Sequence, residues 1–330
     1  MQYKYLSCLV TLFIITGFSA CKCNQTPQNK GEQIYLYSFE KNAPLTTDSS
    51  KQMVSNYLGI KDVHDLTVNK DENVAYFVSD SDVNTTFEQN LTNGNFEFSK
   101  LTAAYNNLVP RLPSKDEAVK IAENYMSSQN ISPKDMAQLK LVHTGGVRAQ
   151  SVLDGQRAGP IVDKLITLTY GRVIDSLPVI GSGSKIIVNI GDKGEVMGMT
   201  RRWRELNMGE KKQAKAEELF TKAEAEEQAK KQIQAEFGQV PYEIRSSAKS
   251  YYDGNGNYLQ PVWAFDAMVN LSQDKNVQSV RYLCIVPMLK NTPEPLQLNV
   301  VDPRAKEMIK SSQPGRDSTH LNNRDIKNSD

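Results

Sequence analysis

Twice along this chain a capping box opens an amphipathic helix, and twice the sequence behind that helix changes to strand period. That order of elements limits the fold more than any other feature. In SKDEAVKIAENYMSSQN, Ser114 and Glu117 stand at the spacing in which the serine oxygen accepts from the N3 amide and the glutamate reaches back to the N-cap amide. Ala118, Ile121, Ala122 and Tyr125 follow on one helical face, and Asn130 offers a left-handed stop. TKAEAEEQAKKQIQAEFG repeats the arrangement with Thr221 and Glu224, a stripe of Ala225, Ala229, Ile233 and Phe237, and Gly238 at the end.

Behind the first helix lie AQLKLVHTG, DKLITLTYGRVID and SKIIVNIGDKGEVMGMTRRW, in which β-branched residues alternate between Gly-containing turns such as Gly191 to Gly194. Behind the second lie YEIRSSAKSYYDGNGNYLQPVWAFDAMVN and VQSVRYLCIVPML, with Asp253-Gly254 and Asn255-Gly256 as hairpin turns. An antiparallel meander has one apolar face to bury, and the helix before it is the available cover. The expected fold is therefore α+β, in tandem modules of one helix and one sheet. A less regular unit precedes them: a helix over 48–58 ending at Gly59, then hairpins in DLTVNKDENVAYFVSDS and TTFEQNLTNGNFEFSK, the latter turning at Asn93-Gly94. Prolines 110 and 113 mark one linker and ELNMGEKK another. The expected units are thus 33–109, 110–208 and 209–303, followed by a polar, disordered tail over 304–330.

A length of 330 residues suits two or three domains at the usual ~100–150 residues each. Lys plus Arg number 39 against 38 Asp plus Glu, which excludes the basic surplus a nucleic-acid binder needs. The N-terminus runs from Lys4 through an apolar stretch, Leu9 to Phe18, to the small residues Ser19 and Ala20. That is the layout of a secretory signal peptide over 1–20, and its apolar part is shorter than the ~20 residues that cross a bilayer. The small-small-Cys ending resembles the lipobox of bacterial lipoproteins, which implies lipidation of Cys21 and a flexible linker over 21–32. Two or more acyl chains hold firmly where one does not, so Cys21 would tether an otherwise soluble body to the membrane. The alternative is an ordinary secretory signal with a coincidental cysteine. Cys8 leaves with the signal, Cys23 lies in the linker, and Cys284 in VRYLCIVPML reads as a small core hydrophobe.

Residues 168–199, LTYGRVIDSLPVIGSGSKIIVNIGDKGEVMGM, resemble the propeptide modules of thermolysin-type metallopeptidases and the related PepSY domains. The shared pattern is a strand ending near Tyr170, the turn Ser176-Leu177-Pro178-Val179 leading to Gly181, a further strand, and the tight Asp192-Lys193-Gly194 turn. NYLQPVWAFDAMV, residues 257–269, resembles the Leu-x-Pro-Val-aromatic-x-Phe strand of the same superfamily. The resemblance implies a helix packed on a curved antiparallel sheet in proteins that bind peptidases or other envelope proteins, often as inhibitory chaperones. It carries over no catalytic residue and no cofactor. A propeptide precedes its enzyme, and here only a polar tail follows, so the role expected is one in trans.

Local chemistry is sparse. The three histidines, His64, His143 and His320, are too far apart in sequence for the helical pair of a zincin, and no metal site is expected. GSGSK at 181–185 lacks the spacing of a nucleophile elbow and the frame of a P-loop, and reads as a backbone turn. DGNGNYLQPVWA begins like a calcium loop, but Tyr258 and Ala264 stand where glycine and glutamate are required, so a hairpin is expected. TRRWRE has interface character: exposed Trp and Arg dominate binding hot spots, which makes Arg201, Arg202, Trp203 and Arg204 candidate partner-binding residues. The competing reading buries Trp203 and leaves Arg201, on its face, at the core edge in need of a partner.

The functional expectation is a non-enzymatic, membrane-anchored lipoprotein of the bacterial cell envelope that binds a protein partner, a peptidase by the family resemblance. Two alternatives stand beside it. One is an envelope enzyme using carboxylates such as Asp163, Asp175 or Asp266, which requires a convergent pair. The other is a structural surface spacer.

Overall fold

In the computed structural model the described residues are 33–41, 43–101, 105, 107–150, 159–270, 279–296 and 298. The signal segment, Cys21, Cys23, His320 and the polar tail lie outside them. Each helix begins where its cap requires. Thr46 accepts from the Ser49 amide at 3.2 Å to open α1 (Thr47–Leu58), which ends at Gly59 with φ 73°. Ser114 and Glu117 close the capping box of α2 (Lys115–Ser128), with Asn130 at φ 54° behind it. Thr221 and Glu224 do the same for α3 (Lys222–Phe237), which stops at Gly238. None of these helices is long and apolar enough to cross a membrane.

The strands are β1 (Tyr35–Ser38), β2 (Thr67–Asn69), β3 (Val74–Ser79), β4 (Asp82–Asn90), β5 (Phe96–Lys100), β6 (Leu139–Gln150) and β7 (Ile161–Ile174). They continue as β8 (Leu177–Gly181), β9 (Lys185–Ile190), β10 (Val196–Arg202), β11 (Lys212–Gln213), β12 (Tyr242–Asp253), β13 (Tyr258–Asn270) and β14 (Ser279–Pro287). They join in the order β11-β1-β13-β12-β8-β7-β9-β10-β5-β4-β3-β2, with β6 beside β7 and β14 beside β13. The architecture is thus α+β, with a large, mainly antiparallel sheet covered in places by helices.

Two pairings make the sheet continuous. Strand β10 pairs antiparallel with β5, Met199 facing Phe98, so the hairpins of 67–100 extend the sheet of 139–202. Strand β12 pairs with β8 in parallel, Tyr251 beside Val179, and this carries the ladder over to β13 and β14. Helices α1 and α2 bury Val54, Tyr57, Ala118, Ala122 and Met126 in one core with Phe87, Phe98, Leu168, Tyr170, Ile186, Met199 and Trp203. Helix α3 buries Ala225, Ala229, Ile233 and Phe237 against Phe265, Val269, Cys284 and Val286. Full burial of each large aliphatic or aromatic side chain contributes about 1.5–3 kcal/mol, so each helix is held mainly by its buried stripe. A third cluster, with Tyr37, Ile174, Val179, Leu206, Tyr251 and Leu259, lies where β1, β8, β12 and β13 meet.

Candidate functional site

The end of β10 turns most of TRRWRE inward. Trp203 is 1% exposed, and the Arg172 guanidinium lies 4.1 Å from the centroid of its ring. Arg201, on the face of Trp203, donates from Nε to Ile131 O at 3.0 Å and from Nη1 to Trp203 O at 2.8 Å, with Glu205 3.7 Å from Nη2. Arg204 donates to Asp253 Oδ1 at 2.7 Å and to Gly256 O at 2.6 Å, and its guanidinium covers Phe39 at 3.6 Å. Arg202 is the exposed member of the four. The cluster thus fastens β10 to the β12–β13 turn and to the strand end after β1, and offers a partner chiefly Arg202.

Arg172, which the sequence reading passed over, is the hub of this arrangement. It is 1% exposed, donates to Ser184 Oγ at 3.1 Å and to Arg204 O at 2.6 Å, and Ser184 Oγ in turn donates to Asp253 Oδ2 at 2.7 Å. Burial lowers its pKa to about 10, so the guanidinium stays charged at neutral pH. Its signal is a charge in an otherwise uncharged row: Leu168, Tyr170, Arg172 and Ile174 share one face of β7, and only the arginine is ionised and so requires buried partners. The GSGSK segment is the expected backbone turn, and it is also the cradle of Asp253. A Cβ on Gly183 would stand 2.3 Å from the Asp253 carboxyl carbon, so a side chain there would displace the carboxylate. DGNGNY forms the expected hairpin, with the Asp253 carboxylate 1% exposed and engaged by protein donors.

The three carboxylates of the enzyme reading have separate partners. Asp163 pairs with Arg148 at 2.7 Å and Asp266 with Arg281 at 2.7 Å. Asp175 accepts from Tyr37 at 2.5 Å and Tyr251 at 3.1 Å. Asp163 and Asp175 lie toward opposite ends of β7, roughly 40 Å apart at the ~3.3 Å rise of a strand. His143 is exposed in β6 and His64 in the segment after α1, and no cluster of metal-ligating side chains occurs among the described residues.

Strand β6 is the feature suited to binding. Among the described residues it pairs with β7 on one side only, and Lys140 to His143 and Val147 to Gln150 are exposed. Leu141, Val142 and Val147 are 42%, 54% and 48% exposed, so apolar side chains stand bare beside an unpaired backbone edge. The other outer strands are shorter: β2 has 3 residues, β11 has 2 and β14 has 9, of which the Ile285 carbonyl accepts from Gln232 of α3 at 3.1 Å. Beyond Ile166, where β9 stops pairing, β6 and β7 continue as a two-stranded extension ending at Gln150 and Ile161. Gly146 permits the close packing of this ribbon, since a Cβ there would lie 2.2 Å from Leu165 O. Tyr105 braces the β7 side, donating to Lys164 O at 2.9 Å and accepting from the Asp192 amide at 3.0 Å.

No family model and no curated protein matches the chain. Several solved structures are similar to it, two of them as follows. An uncharacterized protein from Eubacterium rectale shares 8% identity at a TM-score of 0.45, over 81% of this chain and 86% of that one. The Bacillus megaterium YpeB C-terminal domain shares 13% identity at a TM-score of 0.33, over 76% of this chain and 95% of that one.

A groove of about 420 Å³ lies at the start of α2, floored by Pro113 and Ile121 and rimmed by Arg111, Lys120 and Lys193 with Glu117. Its loop is fixed by the Arg111 amide, which donates to Asp192 Oδ1 at 2.8 Å, and by the Lys193 amide, which donates to Arg111 O at 2.9 Å. Glu117 is held below the usual carboxylate range by the Ser114 hydroxyl and amide, so it remains the anion of the cap.

Proposed function

We propose that this chain is a non-enzymatic, lipid-anchored protein of the bacterial envelope that holds an extended segment of a protein partner along β6. The observation that carries this reading is the length of β6 with one side unpaired among the described residues and apolar side chains bare on it. Such an edge is a template for strand addition. Export and anchoring at Cys21 are supported by the apolar run that ends in Ser19-Ala20-Cys21. The propeptide resemblance favours a peptidase as the partner.

Backbone pairing alone would hold such a segment poorly. Each new hydrogen bond contributes about 0.5–1.5 kcal/mol net, while ordering each residue costs about 1–2 kcal/mol, so the two nearly cancel. Affinity and selectivity must then come from side chains, for which Leu141, Val142 and Val147 provide contact area. A photo-crosslinking residue at His143, in cells making the full chain, tests the reading. Capture of one stoichiometric partner from position 143, absent when the residue is placed at Lys231 on the exposed face of α3, is expected. Equal labelling from both positions would contradict it. Cys21→Ser should release the chain from membranes, and unchanged membrane retention would remove the anchor from the account.

A further inference from the structure

We infer that the segment added to β6 is acidic at both ends and apolar between, its carboxylates meeting Lys140 and Arg148. This inference rests on the edge-binding reading above. Strand β6, LKLVHTGGVRAQ, contains no carboxylate in a chain whose charges nearly balance. Lys140, His143 and Val147 register against Gly171, Thr169 and Leu165, alternate residues of β7, and so share one face of the sheet; the register then shifts, and Arg148, the next residue of β6, stands against Asp163 on the other face. The strand thus carries a cation near each end, Lys140 and Arg148, roughly 26 Å apart at ~3.3 Å per residue of β7.

Among the described residues Arg148 is engaged by Asp163 through Nε, at 2.7 Å, which leaves the terminal nitrogens of its fork for a second carboxylate. A partner carboxylate opposite Arg148 would complete a cross-strand row of acid, arginine and acid. The same composition disfavours a second copy of this chain as occupant. An antiparallel copy centred on Thr144 would set Lys140 opposite Arg148, and no register of β6 on itself yields an attractive charge pair, because the strand has no acid.

The test uses the full chain and two synthetic peptides of alternating threonine and valine, one ending in glutamates and one in lysines. Fluorescence anisotropy at low and high salt reads affinity, and hydrogen exchange reads the site. Tighter binding of the glutamate peptide by roughly 5- to 30-fold, weakening with salt, is expected from two exposed charge pairs. In the double variant Lys140→Glu, Arg148→Glu the preference should reverse toward the lysine peptide, a gain that misfolding would not produce. Equal binding of both peptides, with protection at 139–150, would overturn the acidic inference and leave the edge reading standing. Protection confined to other segments, or no binding of either peptide, would overturn both.

Discussion

Arg204 Nη2 stands 2.7 Å from Asp253 Oδ1, with the carboxylate 1% exposed and the arginine side chain 11% exposed. This ion pair joins the run after β10 to the end of β12, which are separated by about fifty residues of chain. Around it Ser184, Arg172 and Trp203 form a continuous chain of contacts. A buried pair of this kind adds little net stability over an apolar replacement, but losing one partner leaves an uncompensated charge.

Asp253→Ala should therefore destabilise by about 3–5 kcal/mol, because Arg204 and the Ser184 hydroxyl lose their acceptor together. Asp163→Ala, which breaks an exposed pair with Arg148, should cost under about 1 kcal/mol. Urea unfolding of the two variants measures the contrast, and similar losses would contradict the assigned burial.

Ile233 is fully buried between α3 and the sheet, whereas Ile121 is only partly buried on the flank of α2 and lines the groove. Ile233→Ala should cost about 2–5 kcal/mol and Ile121→Ala roughly half as much, since less apolar surface leaves water at the second position. Thermal unfolding of both variants checks the order.

Burial pushes the Cys284 thiol up from 9.0 to about 12. The neutral thiol is the form the fold accepts, so this contribution is fully present below pH 9 and is lost as pH rises toward about 12, where the unfolded chain has already ionised. The stability difference between wild type and Cys284→Ala should be flat up to about pH 8 and shift against wild type above it. Tyr170 and Tyr282 are also pushed up to about 12 by burial, so both proteins should lose stability steeply in the same range. A flat pH profile to pH 11 would contradict the burial of these groups.

Asp175 and Ser176 both have positive φ, 51° and 65°, in the two-residue turn between β7 and β8. Asp175 also receives hydroxyl hydrogen bonds from Tyr37 and Tyr251, whose own titrations are raised by burial and by that carboxylate. Asp175→Ala should cost about 2–4 kcal/mol by combining strain at φ > 0 with two lost acceptor contacts. Asp175→Gly, which removes the strain alone, should recover about 1 kcal/mol of it. Equal stability of the two variants would show that the turn conformation contributes nothing.

Local rules made the helices readable. Both capping boxes and the full α3 stripe follow from i, i+3 and i, i+4 spacing. On α2 the same rule missed Met126, which lies four residues beyond Ala122 and is fully buried, while Ile121 and Tyr125 sit at the margin of the face. Most strands and the Asn93-Gly94 turn were likewise visible, but 177–179, read as part of a turn, belong to β8 behind a turn at Asp175 and Ser176, and the short β1 and β11 went unread. What joins them was not: the β5·β10 and β8·β12 pairings are chosen by packing between segments about seventy to one hundred residues apart, which no local pattern records. The bare edge was hidden for the same reason. LKLVHTGG reads as a strand whether or not a neighbour lies on its outer side, and only the assembled sheet distinguishes the two.

The most direct test of the central claim is hydrogen exchange across the full chain, alone and in the complex recovered by crosslinking from β6. Strand addition predicts slowed exchange in 139–150 with little change in β14, whose Ile285 carbonyl already accepts from Gln232. Unchanged exchange in 139–150, with protection elsewhere, would show that the partner does not bind at this edge.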